Sequence, residues 1–180
     1  MTGPVLETER LILRVPIADD FDAFAAFAAE EETNRHLGGV KTRSEAWRFF
    51  TSLVGAWVVD GFAMFSVIER DTGRWVGRLG PWSPPDWPGT EVGWGVRAEF
   101  AGRGFAFEGS SAAMDFAVDR LGWTHIIHTI AADNVRSIAL AKRLGSVNEG
   151  PTRLPAPYDD VRVDAWGQTA DEWRRARASG

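Results

Sequence analysis

Apolar side chains recur along this chain with two different periods, and the switches between them mark out its elements. In VLETERLILRVP, residues 5–16, Leu11 and Leu13 alternate with Ile12 and Arg14 until Pro16 stops the run, which predicts an opening strand. Phe21, Phe24 and Phe27 then fall three apart behind Asp19 and Asp20, either of which can cap a helix over about 21–29. Trp47, Phe50, Leu53, Val54 and Trp57 keep helical spacing and predict a second helix over 44–58, with Ser44 as its cap. The polar TNRHLGG between the two reads as a connector.

FAMFSVIER (62–70) and RWVGRLG (74–80) predict a hairpin, because the Asp71-Thr72-Gly73 between them tolerates the backbone angles of a tight turn. PWSPPDWPGT (81–90) carries too much proline for a central strand. EVGWGV (91–96) is a strand that runs through a glycine-rich turn into a helix over about 104–121. On that helix Ala106, Ala113, Phe116 and Ala117 share one face, and Glu108, Asp115 and Asp119 the opposite one. The β-branched THIIHTIAA (124–132) suits a central strand. DNVRSIALAKRLG follows as a helix, capped by Asp133 or Asn134 and stopped by Gly145. Strands at 146–149 and about 161–166 complete the order β-α-α-β-β-β-α-β-α-β-β, and a helix over 170–178 trails it. This is an α/β (α+β) arrangement around a mixed sheet. No repeat, low-complexity tract or linker interrupts it, so a single domain over 1–180 is expected.

Composition narrows the chemistry. The chain has no cysteine, which removes disulfides, thiol catalysis and cysteine-ligated metal sites. Its net charge of −5, from 20 Lys+Arg against 25 Asp+Glu, argues against a generic nucleic-acid binder. MTGPVLETERLILR lacks the layout of a secretory signal, and no apolar run is long enough to cross a membrane, so a soluble, cytoplasmic protein is expected.

The turn AGRGFA (101–106) is where chemistry first shows. Gly102 and Gly104 open the backbone to close approach, the helix that starts there presents unpaired N–H donors, and Arg103 adds charge. Together these can cradle a phosphate, although a tight turn without a ligand uses the same residues. The P-loop pattern is absent, and Phe107 stands where a dinucleotide fingerprint needs its third glycine.

TERLILR (8–14), EVGWGV leading to GRGFAFEG (102–109), and NVRSIALAKRLGSVNEG (134–150) in that order resemble the GNAT acetyltransferase superfamily, most closely its RimJ/RimL-type branch. The resemblance runs from about residue 6 to 168. It implies a GNAT-like mixed, mostly antiparallel twisted sheet with helices on both faces and splayed central strands. It also implies acetyl-coenzyme A as cosubstrate without a metal, and a primary amine as acceptor, either a small molecule or a peptide N-terminus. Nucleic acid and membrane are not expected partners, and either a monomer or a homodimer fits the family. The family loop Q/R-x-x-G-x-G/A falls on Ala101, Gly102, Arg103, Gly104, Phe105 and Ala106, with Ala101 departing from it; backbone N–H groups there would hold the pyrophosphate. The pantetheine arm would lie along Trp94, Gly95 and Val96, where strand 91–96 parts from strand 124–132. Asn134 matches a residue that contacts the arm, a role compatible with helix capping. Ser137 matches a serine near the thiol. Lys142 and Arg143 either reach coenzyme phosphates or sit in water near the helix C-terminus.

Transfer to an amine needs a base, donors for the carbonyl oxygen and a proton for the departing thiolate. The resemblance implies direct transfer, and N–H groups near Gly95 and Val96 are candidate donors. The tyrosine that many relatives use as acid is replaced by Ala141, so Ser137 is the named substitute, with a backbone-bonded serine as its plain alternative. Glu91 is a candidate base through water or else a structural carboxylate; His128, Tyr158, Asp159 and Asp160 are further candidates near the site. Acceptor selection is assigned to 33–43, 81–90 and 151–160, with Trp82 and Trp87 as walls or packing anchors. A non-catalytic acyl-coenzyme A binding domain of the same fold is the alternative, suggested by Ala101 and the missing tyrosine.

Overall fold

A computed structural model describes residues 3–178. Its strands are β1 (Val5–Glu7), β2 (Leu11–Arg14), β3 (Phe65–Glu69), β4 (Trp75–Trp82), β5 (Glu91–Val96), β6 (His125–Ile130), β7 (Val147–Thr152) and β8 (Val163–Thr169). Its helices are α1 (Phe21–Ala28), a single turn α2 (Glu31–Asn34), α3 (Arg43–Val59), α4 (Phe105–Asp119), α5 (Val135–Arg143) and α6 (Ala170–Ala178).

Several boundaries differ from the expected ones, each for a local reason. The opening strand is two strands, because Thr8 folds the chain back: its N–H donates to Leu11 O at 2.9 Å and its Oγ1 accepts from Leu11 N–H at 3.0 Å. Thr42 rather than Ser44 caps α3; the Thr42 N–H donates to Glu45 at 2.8 Å, closing a capping box. Asp20 does not cap α1 through its side chain. It is buried, accepts two bonds of 2.7 Å from the Arg14 guanidinium, and takes a further one from Ser66 at 2.8 Å. β4 runs on through Pro81, which sits opposite Val92. Proline is tolerated there because β3 ends opposite Leu79, so the missing N–H faces no strand.

The eight strands form one sheet in the order β1-β2-β3-β4-β5-β6-β8-β7, antiparallel at every contact except β5–β6. Helices cover both faces. On one, Phe24 and Phe27 of α1 and Phe50 and Leu53 of α3 close over Met64 and Trp75. On the other, α4 packs so tightly that a Cβ at Gly109 would stand 2.6 Å from Leu79, with Leu11, Phe65, Val92, Phe105 and Met114 filling the core around it. Two residues on the acidic side of α4 are anchored: Asp115 accepts from the Trp173 indole at 2.8 Å and from Arg177 at 2.9 Å, while Glu108 accepts from Thr8 and Arg10. No helix of the described residues is long and apolar enough to cross a membrane.

Candidate active site

β5 and β6 stay together for a single register pair, Glu91 with Ile127, where the Ile127 N–H donates to Thr90 O at 3.0 Å. Side chains then take over both edges of the ladder. The Thr129 N–H donates to Glu91 Oε1 at 3.1 Å instead of to a backbone carbonyl, and Val92 O pairs with His128 Nδ1 at 2.7 Å. The strands part from here, which is the splay expected at the sheet's centre. Glu91, buried at this vertex, also accepts from the Trp87 indole at 2.6 Å and from Thr129 Oγ1. Burial raises its pKa above the ordinary carboxylate range, with the Thr129 and Trp87 donors opposing the shift. His128 is neutral: burial lowers its pKa to about 4. Its Nε2 meets Ser146 Oγ at 3.1 Å, so both ring nitrogens are engaged within the protein and neither is left to serve as a base.

The opening has its own backbone donors. Arg97 N–H donates to Val76 O at 2.9 Å, and in an antiparallel ladder such donors recur at every second residue. The Gly95 N–H therefore belongs to β4, and it is the N–H groups of Trp94 and Val96 that face the gap. This corrects the expectation for Gly95, whose part is steric: a Cβ there would lie 2.8 Å from Phe27.

At the glycine turn, Gly102 and Gly104 take φ of +75° and +83°, and Gly104 precedes α4 with no side-chain cap. The first helical bond is from Glu108 N–H to Gly104 O at 3.1 Å, so the N–H groups of Phe105, Ala106 and Phe107 lead the helix without intrahelical partners. A Cβ at Gly102 would meet nothing within 4 Å. An uncapped helix start beside open space fits a diphosphate. Arg103 does not contribute free charge as expected; it pairs with Glu69 at 2.6 Å and lies over the Phe105 ring. The turn is held from behind by Arg10, which donates to Arg103 O at 3.0 Å and to Glu108 at 2.7 Å, while Glu108 accepts from Thr8 at 2.6 Å. Thr8 and Arg10 thus belong to the site's support, a role that two segments about a hundred residues apart did not disclose.

From this turn a groove of about 550 Å³ runs past Ala101, Gly95, Val96, Phe107 and Leu140 to Asn134 and Ser137. Lys142 is not in it; its Nζ sits 5.6 Å from the Trp166 ring, on another side of α5. Arg136 and Arg143 line it instead, Arg143 stacked 3.9 Å above Phe107 and Arg136 paired with Glu32 at 2.8 Å. Helical spacing carries that signal, since 136, 140 and 143 share a face and 142 does not. Ala141 is fully buried beside Ile130 and Trp166, and no acid stands in its place.

Asn134 caps α5 through Oδ1, which accepts from Ser137 N–H at 3.2 Å, leaving its amide NH₂ to face the groove. The Trp94 indole N–H donates to Ser137 Oγ at 3.2 Å. An indole can only donate, so Ser137 accepts from it and its own hydroxyl proton is free to point into the site. Trp94, Asn134 and Ser137, with His36 and Leu37, also line a second cavity of about 170 Å³ that opens beyond the splay. The three segments expected to select the acceptor meet there, through His36 to Gly38, Trp82 and Trp87, and Leu154 and Tyr158. Tyr158 roofs it against Gly38, where a Cβ would come within 2.7 Å of the phenol ring. Asp159 and Asp160 are exposed and stay outside the lining. Glu91 lines the cavity, as does Arg78, a buried residue of β4 that strand periodicity alone did not single out.

A family model for the acetyltransferase (GNAT) domain matches residues 10–147. An uncharacterized N-acetyltransferase of Bacillus subtilis, YoaA, is 26% identical over 164 residues, covering 87% of this chain and 93% of that protein. Among solved structures, an acetyltransferase from Agrobacterium tumefaciens superposes with a TM-score of 0.80 at 27% identity, over 93% of this chain and 95% of that one. A ribosomal-protein-S5-alanine acetyltransferase from Vibrio fischeri superposes at 0.71 with 18% identity, over 95% and 99%, a likeness of fold alone.

Proposed function

Since this chain belongs to the GNAT N-acetyltransferases, we propose that it moves an acetyl group from acetyl-coenzyme A directly to a primary amine, of a small molecule or a peptide N-terminus, in the manner of the RimJ/RimL type. One observation carries this reading: a groove that begins at an uncapped helix start and a separate cavity meet at Trp94, Asn134 and Ser137, where β5 and β6 part. Two substrates entering by the groove and by the cavity would bring their reacting ends together there. The proposed enzyme is cytoplasmic, acts as one domain, and works as a monomer or homodimer.

Acetyl-coenzyme A supplies a thioester carbonyl. The N–H groups leading α4 hold its diphosphate, with Arg143 and Arg136 along the wall. Trp94 and Val96 offer N–H donors in the opening, one of them to the carbonyl oxygen as negative charge develops. The amine nitrogen forms the new C–N bond, the C–S bond breaks, and the sulfur leaves as thiolate. Ser137, its Oγ held by Trp94, donates toward that sulfur. The nitrogen's surplus proton passes through water toward Glu91, whose pKa burial raises, making it a better proton acceptor than an ordinary carboxylate. Overall, one N–H proton is exchanged for one S–H.

Release of coenzyme thiol in the presence of amines and N-terminal peptides tests this. Turnover that saturates in both substrates is the expected result. Saturable coenzyme binding with no thiol release across a broad panel would instead favour a non-catalytic acyl-coenzyme A binding domain, for which the buried Ala141 speaks.

A further inference from the structure

The acceptor cavity contains a charge that acetyl transfer to a generic amine leaves without a purpose. Arg78 lies in the middle of β4 at 7% exposure. Its Nε has no hydrogen-bond partner, and its Nη1 meets the sulfur of Met64, a weak acceptor. No carboxylate forms an ion pair with it among the described residues. The rings of Phe49 and Phe27, 4.9 and 5.9 Å from the guanidinium carbon, offset part of the burial but accept none of its fork of N–H donors. Burial lowers its pKa to about 10, with Tyr158 and Glu91 opposing the fall, so it remains a cation at neutral pH. A buried, under-bonded guanidinium that lines a cavity has N–H donors to offer an anion there.

The surroundings indicate which anion. On β4 and β5 the pairs Arg78–Gly95, Gly80–Gly93 and Trp82–Glu91 follow one another at two-residue steps, so all six positions share a face of the sheet. The cation and the carboxylate therefore stand at the two ends of a glycine floor on which Phe27 and Met64 pack. A Cβ at Gly93 would lie 2.7 Å from Met64 and 3.5 Å from Glu91, filling the space between them. Phe49, Trp82 and Tyr158 give the cavity apolar walls.

We propose that Arg78 binds a carboxylate of the acceptor, which makes the acceptor a free amino acid with an apolar side chain. Its carboxylate is gripped by the guanidinium fork, and its amine is directed toward the Trp94–Ser137 junction, since Trp94 lies beside Gly95, the register partner of Arg78. This rests on the transferase reading given above and narrows its acceptor.

The test measures thiol release from acetyl-coenzyme A by the wild-type protein with the twenty amino acids, their amides, the corresponding decarboxylated amines, and short peptides beginning with Glu. In parallel, titration calorimetry with coenzyme A present measures binding of the same amino acids. For the best amino acid, kcat/KM is expected to exceed that of its amide and its decarboxylated amine by roughly 100-fold, because either analogue leaves the guanidinium unpaired. In Arg78→Gln this ratio falls toward one, and Arg78→Lys restores part of it. Equal rates with the amide or the decarboxylated amine overturn the proposal without any variant having to fold, and a preference for the Glu-led peptide overturns the free amino acid as source of the carboxylate. Amino acid binding that Arg78→Gln leaves unchanged, or no binding at all, overturns it equally. If binding depends on Arg78 but no amine releases thiol, the carboxylate site stands and the transferase reading falls.

Discussion

Gly104→Val separates the proposed diphosphate site from the fold that carries it. Gly104 holds φ of +83° immediately before α4. A left-handed residue with a Cβ costs about 1–2 kcal/mol, toward the upper end for a branched side chain. The new Cβ would also lie 3.3 Å from Arg10 Nη2, loosening the pair with Glu108. Arg10 is 45% exposed on its side chain, so that loss adds at most about 1 kcal/mol. A total of roughly 2–3 kcal/mol corresponds to a fall in Tm of about 4–12 °C for a chain of this size and leaves it folded. The leading N–H groups of α4 would turn away from their ligand, and bonds to a charged acceptor are worth about 1.5–3 kcal/mol. Kd for coenzyme A should therefore rise about 10- to 150-fold in titration calorimetry. Pantetheine, which has no diphosphate, should bind the variant and the wild type alike. The expected fall in Tm with an unchanged Kd for coenzyme A would refute the assignment, and equal weakening toward both ligands would show a distorted groove instead of a lost diphosphate contact.

Ser137→Ala should lower kcat about tenfold or more, as expected for a lost donor to a developing thiolate, with little change in the affinity for acetyl-coenzyme A; the reverse pattern would make Ser137 a binding residue only. His128 titrates at about 4 in the folded protein against 6.5 for an unperturbed imidazole, so the unfolded chain binds more protons between those values and stability falls as pH drops through that window. By about 1.4 kcal/mol per unit the loss approaches 3 kcal/mol at pH 4, and His128→Asn should remove it. Glu91, shifted the other way, drives stability in the opposite sense, so the check is the difference between wild-type and His128→Asn denaturant midpoints across pH 4–7, where parallel curves would sink the reasoning.

How far the chain could be read follows from the range of the interactions involved. Local period was enough to place the hairpin around Asp71-Thr72-Gly73, the central strand at 124–132, and the helices at 105–119 and 135–143. It was enough for Asn134 too, since a cap bonds its own helix. Reading failed where a polar residue's partner lies far away in sequence. Arg103 was read as free charge because Glu69, 34 residues earlier, gives no local sign of facing it. Glu108 reads only as part of the acidic side of its helix because its partners, Thr8 and Arg10, precede it by about a hundred residues. Lys142 and Arg143 carry the same sequence expectation although helix geometry separates them, so that miss is of a signal the sequence does contain.

Glu91 illustrates why a carboxylate's chemistry resists sequence reading even when its position is right. Its acidity depends on desolvation, which raises its pKa, and on donors from Thr129 and Trp87, which lower it; both depend on β6 and the loop 83–90 being closed over it. The same bonds end the β5–β6 ladder, because the carboxylate occupies the Thr129 N–H that a regular parallel pair would give to Val92 O. One side chain therefore both opens the gap in which the thioester is proposed to lie and borders the cavity in which the amine is proposed to wait. The structural and the proposed catalytic readings of Glu91 are consequences of one geometry. Its replacement by glutamine, which keeps the shape and half of the acceptors, is the change that would separate the two.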